Sequence, residues 1–197
     1  MPSFHAFTGC DYTSSFFRKA KSRPFDLLAK DRRFASAFGQ LGSSRSVGAE
    51  VGAIIEEYVC AMYGVRNVTD VNEARYHLFR KLYAPTKPDQ PLEKIKSSDP
   101  CCLPPCKTVL EQKLRRTNYV ARIWRNARLA QPVEFGPDVH GWRVVNDKLQ
   151  FVWFERPQNP PNVSFDSLDE DDGDSEDDDD IQGCDISSDE SDESDEN

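Results

Sequence analysis

The sequence predicts a mainly α-helical protein in which a small helical bundle is joined to a long basic helix and a C-terminal β-hairpin, followed by a disordered acidic tail. Apolar residues recur at helical spacing through much of residues 14–129, and a short alternating segment follows Pro132. From Asp166 onward the chain is strongly acidic and has few apolar side chains. At 197 residues, the chain is long enough for one compact domain or two small ones.

Residues 14–42 predict two or three short helices. Thr13 and Ser14 are residue types that cap a helix N-terminus, so we expect a short basic helix directly after them. Pro24 suits the first turn of a later helix, because its fixed backbone angle is helical. The apolar faces of the later helices are formed by Phe25, Leu27 and Leu28 and by Phe34, Ala37, Phe38 and Leu41, and Gly42 ends the pattern.

Two more helices are predicted before the chain changes character. The first lies within residues 47–63 and ends at Gly64. The second is capped by Thr69 or Asp70. Their inward faces are formed by Val51, Ile54, Ile55, Tyr58, Val59 and Met62 and by Ala74, Leu78, Phe79 and Leu82. Because the connections are short, we expect these helices to pack antiparallel in a small bundle.

The second half begins with a segment rich in Pro, Lys and Ser at residues 84–105, which predicts a mobile linker. The longest helix is predicted at 108–129, and a β-hairpin follows with Asn146 and Asp147 as its turn. The apolar face of the long helix is formed by Leu110, Leu114, Ala121 and Trp124. The chain therefore divides into segments 1–83, 84–105, 106–157 and 158–197.

Charge is distributed unevenly along the chain. Of its 34 acidic residues, 18 lie from Asp166 to Asn197, where there is no Lys or Arg; the preceding residues hold 25 basic and 16 acidic side chains. Such a tail cannot bury enough apolar surface to offset its chain entropy, so we expect disorder. It also has three serines with an acidic residue three positions later, the pattern of an acidophilic kinase site: Ser167, Ser175 and Ser187.

The first residues place one carboxylate in a turn of small residues. Asp11 follows Gly9, whose backbone freedom allows a tight turn, and potential capping residues come directly after it. Because free N–H groups at a helix start attract anions, this arrangement fits a metal-bridged phosphate site. The same residues also fit an ordinary capped helix, which the spacing alone favours.

The segment Gly-Cys-Asp-Tyr-Thr at residues 9–13 resembles the last acidic motif of flap-endonuclease-like (PIN-like) nucleases. A closer similarity is to a group of transposon-associated, uncharacterised animal proteins. It consists of His-Ala-x-Thr-Gly-Cys-Asp-x-Thr-Ser at 5–14, Thr-Asp-Val-Asn-Glu-x-Arg at 69–75, Leu-Pro-Pro-Cys at 103–106, Asn-Tyr-x-Ala-x-Ile-Trp at 118–124 and Gly-Trp at 141–142.

The resemblance implies that Asp11 corresponds to a metal ligand and that the helices after it face DNA. Two-metal nucleases need several carboxylates around their ions, and most of them come from strands that precede this turn. Only ten residues precede Asp11. We therefore expect Asp11 to be a vestigial ligand, Tyr12 a packing residue and the chain no enzyme. Mg²⁺ would bind only if another chain completed the site.

Two basic clusters could contact phosphates. The first is Arg18, Lys19 and Lys21, and the second lies on one side of the long helix: Lys107, Arg115, Arg122 and Arg125. The alternative is that the long helix has an ordinary solvated face, with its basic side chains packed over the core.

A zinc site has less support from the sequence. Cys101, Cys102 and Cys106 do not have ordinary zinc-ligand spacing, and His140 or Cys10 would have to complete such a set.

There is no leader-like segment and no apolar run long enough for a membrane span, so we expect a nuclear or cytoplasmic protein without a membrane partner.

Three functional hypotheses remain open. The first is a non-catalytic remnant of a transposon-derived nuclease-like protein that binds nucleic acid weakly and without sequence preference. The second is an interaction protein whose acidic tail binds histone-like basic partners. The third is a nuclease subunit that another chain completes.

Overall fold

The structure is a computed structural model, and it describes residues 1–82, 100–132 and 135–155. These residues are mainly helical and end in an antiparallel hairpin. The elements are α1 (Pro2–Thr8), α2 (Ser22–Lys30), α3 (Arg32–Gln40), α4 (Ala49–Met62), α5 (Val71–Leu82), one 3-10 turn (Pro100–Cys102), α6 (Lys107–Asn126), β1 (Trp142–Val145) and β2 (Lys148–Phe151). The predicted tail and most of the predicted linker lie outside the described residues.

Several predicted elements are confirmed. Asp70, and not Thr69, caps helix α5, because its Oδ1 accepts the backbone N–H groups of Asn72 at 2.8 Å and Glu73 at 3.1 Å. The hairpin turns at Asn146 and Asp147, whose φ angles of 50° and 57° are typical of the two-residue turn that suits twisted strands.

The predicted helix directly after Ser14 is wrong. Residues 14–21 form no helix, and helix α2 begins only at Ser22. The carbonyl of Ser14 accepts a hydrogen bond from the Lys113 side chain, and Arg18 has a φ of 51°, which a helix does not allow. The basic residues predicted for that helix lie on an irregular segment: Arg18, Lys19 and Lys21.

Helix α1 forms where no helix was predicted. Its seven residues are too few for stability in isolation, so packing has to hold it in place. Phe4 and Phe7 enter the main core, and the Ser3 hydroxyl donates to the carbonyl of Phe38 at 2.6 Å. Helix α1 also packs closely along α6, which brings the first and last helices of the body together.

The end of the predicted linker is structured. Residues 100–105 include the 3-10 turn, and both Leu103 and Pro104 are buried. The Arg75 guanidinium on helix α5 donates to the carbonyl of Pro104. Two buried apolar residues and a hydrogen bond from a side chain to the backbone therefore fix this part of the chain, although its proline content indicated a mobile connection.

The main core is built around aromatic rings. Phe38 of helix α3 lies with its ring centroid 5.2 Å from Phe7 and 5.1 Å from Tyr58, in edge-to-face arrangements that favour aromatic pairs. Tyr58 also donates its hydroxyl hydrogen to the carbonyl of Pro24 at 2.8 Å. These contacts join α1, α2, α3 and α4.

A second, smaller cluster joins the hairpin to the helices. It contains Ala6 of α1, Val120 of α6 and Trp142 of β1, with Tyr119 and Trp124 packed against it. Helix α1 therefore contributes to both clusters from its two sides. In the described residues, none of the helices combines the length and the apolar character that crossing a bilayer requires.

Candidate nucleic-acid interface

A tight turn follows helix α1. Gly9 has a φ of 117°, and a side chain at this position would bring its Cβ within 2.8 Å of Ser15. Cys10 and Thr13 exchange backbone hydrogen bonds at 3.0 and 3.2 Å. The two residues between them therefore form the tip of the turn, as the glycine in the sequence predicted.

That tip points Asp11 and Tyr12 towards solvent. Tyr12 is 61% exposed, so the expectation that it packs against the core is wrong. Asp11 is exposed as well. Nowhere in the described ranges do three or more His, Cys, Asp or Glu side chains come together as metal ligands would. The described residues around Asp11 therefore do not fit a Mg²⁺ site.

The cysteines near helix α6 do not gather into a metal centre either. Cys106 precedes α6, and its Sγ lies 3.3 Å from the Thr108 hydroxyl oxygen. Within residues 1–82, 100–132 and 135–155, no three of the zinc ligands considered from the sequence come together: Cys101, Cys102, Cys106, Cys10 and His140.

The N-terminal basic cluster lies on the irregular segment between the turn and α2. Phe16 is buried and fixes the segment, because its ring lies 5.2 Å from Phe7 in the core. Arg18 lies over the Phe17 ring at 5.2 Å, and Lys19 Nζ lies 4.6 Å from the ring centroid of Tyr63. These cations therefore lie against aromatic rings at the protein surface.

Three aromatic side chains of the same segment are exposed. Tyr12 is 61% exposed, Phe17 42% and Phe25 52%. Residues 12–25 contain four basic residues and no acidic one. We call this segment the aromatic–basic surface. Exposed rings between cations are the usual elements of single-strand nucleic-acid sites, where bases stack on rings and cations contact phosphates.

The predicted basic strip on α6 is held by internal contacts. Lys107 Nζ lies 3.1 Å from Asp70 and 3.2 Å from Glu56, and its hydrogen bonds to these two carboxylates raise its pKa. Arg115 forms an ion pair with Glu155. These carboxylates compete with any phosphate for the same donors.

The C-terminal part of that strip has internal partners too. Arg125 donates to the carbonyls of Gly39 at 2.7 Å and Leu41 at 3.2 Å, at the C-terminal end of α3. The Arg122 guanidinium stacks on the Phe135 ring at 4.4 Å. A role for the four strip residues in phosphate binding stays a prediction. Arg18 and Lys21 of the N-terminal cluster are exposed, whereas three of the four strip residues are half-buried: Lys107, Arg115 and Arg122.

The structure brings the two basic regions together through helix α1. Lys21 Nζ donates to the carbonyl of Gly9 at 2.6 Å and contacts His5 Nδ1 at 2.7 Å. The His5 ring in turn stacks on Trp124, in the last turn of α6, with a centroid separation of 5.8 Å. The exposed Arg128 follows that turn. Residues about a hundred positions apart thus lie side by side.

Two cations of α6 are buried, which the sequence did not indicate. Lys113 is 4% exposed, donates to the carbonyl of Ser14 and lies 4.5 Å from the ring centroid of Phe16. Burial, together with the nearby charge of Arg116, lowers the pKa of Lys113 from its ordinary value of 10.5 to about 7.

The second buried cation holds the hairpin. Arg116 donates through Nη1 to the carbonyls of Val152 at 2.9 Å and Gly141 at 3.2 Å. Its guanidinium lies 5.1 Å from the ring centroids of both Phe151 and Trp153. Burial lowers the pKa of Arg116 to about 10. Both buried residues are structural, so counting every basic residue of α6 overstates its exposed charge.

The predicted phosphorylation sites lie outside the described residues: Ser167, Ser175 and Ser187.

Comparison of the chain with protein-family models, with curated proteins and with solved structures found no match.

Proposed function

We propose that this chain is a non-catalytic relative of the transposon-associated PIN-like group and that it binds single-stranded nucleic acid without sequence preference. The observation that supports this proposal is the aromatic–basic surface, a segment in which three exposed rings flank four basic residues and no acidic residue lies between them. The binding region extends through Lys21, His5 and Trp124 to the end of α6.

The physical argument has two parts. Stacking of a base on an exposed aromatic ring contributes about 1–3 kcal/mol and is similar for every base, so it gives affinity without specificity. Cations beside the rings neutralise phosphates and release counterions, which makes binding weaken as salt increases. A single strand can present both its bases and its phosphates to such a surface, whereas the bases of a duplex are already stacked.

The test is fluorescence anisotropy of a labelled oligothymidine and of a matched duplex, titrated with the full chain. At about 20 to 200 mM salt we expect tighter binding of the single strand and a linear fall of log affinity with log salt. The full chain is used throughout, so that the acidic tail opposes binding equally in every measurement.

A pair of charge variants locates the site. Arg18→Gln with Lys19→Gln removes two cations from the aromatic–basic surface, and should reduce the salt slope by about 1.4. The matched control, Arg143→Gln with Lys148→Gln, removes the same charge from the exposed hairpin and should leave the slope nearly unchanged. Equal effects of the two pairs, or no single-strand binding at low salt, would refute the proposal.

Catalysis is tested in the same samples. With Mg²⁺ or Mn²⁺ added, we expect the bound strand to stay intact, because one exposed carboxylate cannot fix a catalytic ion. Cleavage that disappears in Asp11→Asn would contradict the non-catalytic assignment.

A further inference from the structure

Lys21 and His5 make a contact that exists in only one protonation state of the histidine. Lys21 Nζ lies 2.7 Å from His5 Nδ1 and donates to the carbonyl of Gly9 at 2.6 Å, and both basic side chains are exposed. An ammonium group has donors and no acceptor, so His5 Nδ1 has to accept this hydrogen bond with its lone pair. His5 is therefore neutral in this arrangement, and its ring hydrogen is on Nε2.

Protonation of His5 would break this contact. A charged imidazole has an N–H group on each ring nitrogen and no lone pair that could accept from Lys21. The two positive charges would also repel each other at a separation of 2.7 Å. Histidine side chains are the protein groups that change charge near neutral pH. Uptake of a proton by His5 and its hydrogen bond with Lys21 are therefore mutually exclusive.

The stack of His5 on Trp124 does not require a neutral ring. The two ring centroids are 5.8 Å apart, and the angle between the ring planes is 28°. Because the face of an indole attracts a cation, this stack suits a charged His5 as well as a neutral one. After proton uptake His5 therefore keeps its place on α6, and Lys21 is the side chain that turns away. Two cations then lie beside Trp124.

The surroundings of this pair are mainly positive. His5 contacts the segment that carries Lys21 and the last turn of α6, and α3, which also packs against α1, has no charged residue after Arg33. The charged and titratable groups that flank these contacts in the sequence are the Met1 amino group, Cys10, Asp11, Lys21, Arg125 and Arg128. Asp11 is the one carboxylate in that set. A bound phosphate would make a second positive charge favourable here.

We infer that the single strand binds together with a proton: a backbone phosphate lies between His5 and Lys21, with His5 charged and the contact between the two side chains replaced by contacts to the phosphate. One proton enters from solvent for each phosphate held in this way. At higher pH, Lys21 stays bound to His5 and contributes less to binding. Affinity for the strand therefore rises as the pH falls from about 8 to about 6. This inference rests on the proposed function, because the phosphate belongs to the bound strand.

The first measurement is proton uptake. Oligothymidine is titrated calorimetrically into the full chain at about pH 7 in Pipes and in Bis-Tris buffer, whose different ionisation enthalpies report the protons exchanged on binding. Lys113, which donates to Ser14 in the same segment, has a pKa of about 7, so the native protein alone does not identify the group. The native protein should take up more protons than His5→Gln, whose amide can accept from Lys21 but does not titrate.

The second measurement is fluorescence anisotropy at about pH 8 and about pH 6. In the native protein, the slope of log affinity against log salt should be steeper at the lower pH by about 0.7, the value for one added cation on a single strand. His5→Gln should lack this increase. His77→Gln is the matched control, because His77 is exposed on α5 beside Glu73, and it should behave as the native protein does.

Lys21→Gln separates phosphate binding from a purely structural role. If Lys21 only held Gly9 in place, its loss would weaken strand binding equally at both pH values. We expect the loss of affinity to be at least about threefold larger at the lower pH, where His5 no longer holds the lysine.

Two results would overturn the inference while leaving the proposed function intact. One is proton uptake in His5→Gln equal to that of the native protein, and the other is an equal loss of affinity in Lys21→Gln at both pH values. Absence of single-strand binding at both pH values would overturn the proposed function and this inference with it.

Discussion

The buried Lys113 side chain makes the stability of this protein depend on pH in a specific direction. The side chain is 4% exposed and lies against Phe16 and Phe7 at 4.5 and 5.7 Å. Burial lowers its pKa to about 7, whereas the unfolded chain has the ordinary value of 10.5. Between these values the folded state binds fewer protons than the unfolded state, so the free energy of unfolding rises with pH.

The magnitude follows from those two pKa values. Between about pH 6 and about pH 9, Lys113 alone should add about 2.5 kcal/mol to the free energy of unfolding. Lys113→Met keeps a side chain of similar length in the same place and removes the ammonium. The variant should therefore lack this gain, and its advantage over the native protein should be largest at the lower pH.

The assay is urea denaturation of both proteins at the two pH values. Comparing variant with native protein at each pH cancels the contributions of all other titrating groups. Lys148→Met removes an ammonium from the exposed hairpin and controls for the change in net charge. A difference between native protein and Lys113→Met that is the same at both pH values would refute the reasoning.

Three further changes test local contacts, each by urea denaturation. Gly42 and Gly64 have similar φ angles of 81° and 80°, but only at Gly42 would an added Cβ meet backbone, at 2.6 Å. Gly64→Ala should therefore lower the free energy of unfolding by about 1 kcal/mol, and Gly42→Ala should lower it clearly more. Equal losses would contradict the close approach at Gly42. Asp70→Ala should cost about 1 kcal/mol because α5 loses its cap, and no change would show that the cap is dispensable. Tyr58→Phe should cost about 1 kcal/mol, since the carbonyl of Pro24 loses its donor, and a neutral effect would argue against that hydrogen bond.

Elements with a long regular pattern could be predicted from the sequence. Helix α4 has an apolar stripe bounded by a glycine, and its predicted positions Ile55, Tyr58 and Val59 are all buried. The hairpin was predictable because Asn146 and Asp147 tolerate the left-handed backbone that its turn requires. In both cases the local signal and the packing favour the same structure.

The N-terminal region could not be predicted in the same way. Helix α1 is too short to be stable alone and depends on its contacts with α6 and with Phe38. Residues 14–21 contain acceptable helix formers, yet the Ser14 carbonyl bonds to Lys113 and Phe16 enters the core. Tertiary contacts from distant parts of the chain therefore override local preference here.

The candidate interface was partly visible in the sequence. The basic residues before α2 could be counted, but the exposure of Tyr12 and Phe17 could not, because aromatic residues beside a small core are usually buried. The reverse holds for Lys113 and Arg116, which composition places on the surface and the structure places inside. Phe16 is buried and its neighbour Phe17 is exposed. The sequence pattern could not distinguish them, because it predicted a helix where the backbone is irregular.

The central claim is that the exposed rings of the aromatic–basic surface bind a single strand, and one pair of variants tests it directly. Tyr12→Ala with Phe17→Ala removes two exposed rings without emptying the core, and Val144→Ala with Leu149→Ala removes comparable exposed apolar groups from the hairpin. In oligothymidine titrations of the full chain, we predict that the first pair lowers affinity at least about tenfold and that the second leaves it unchanged. Native affinity in the first pair, with its fold intact by circular dichroism, would contradict the account.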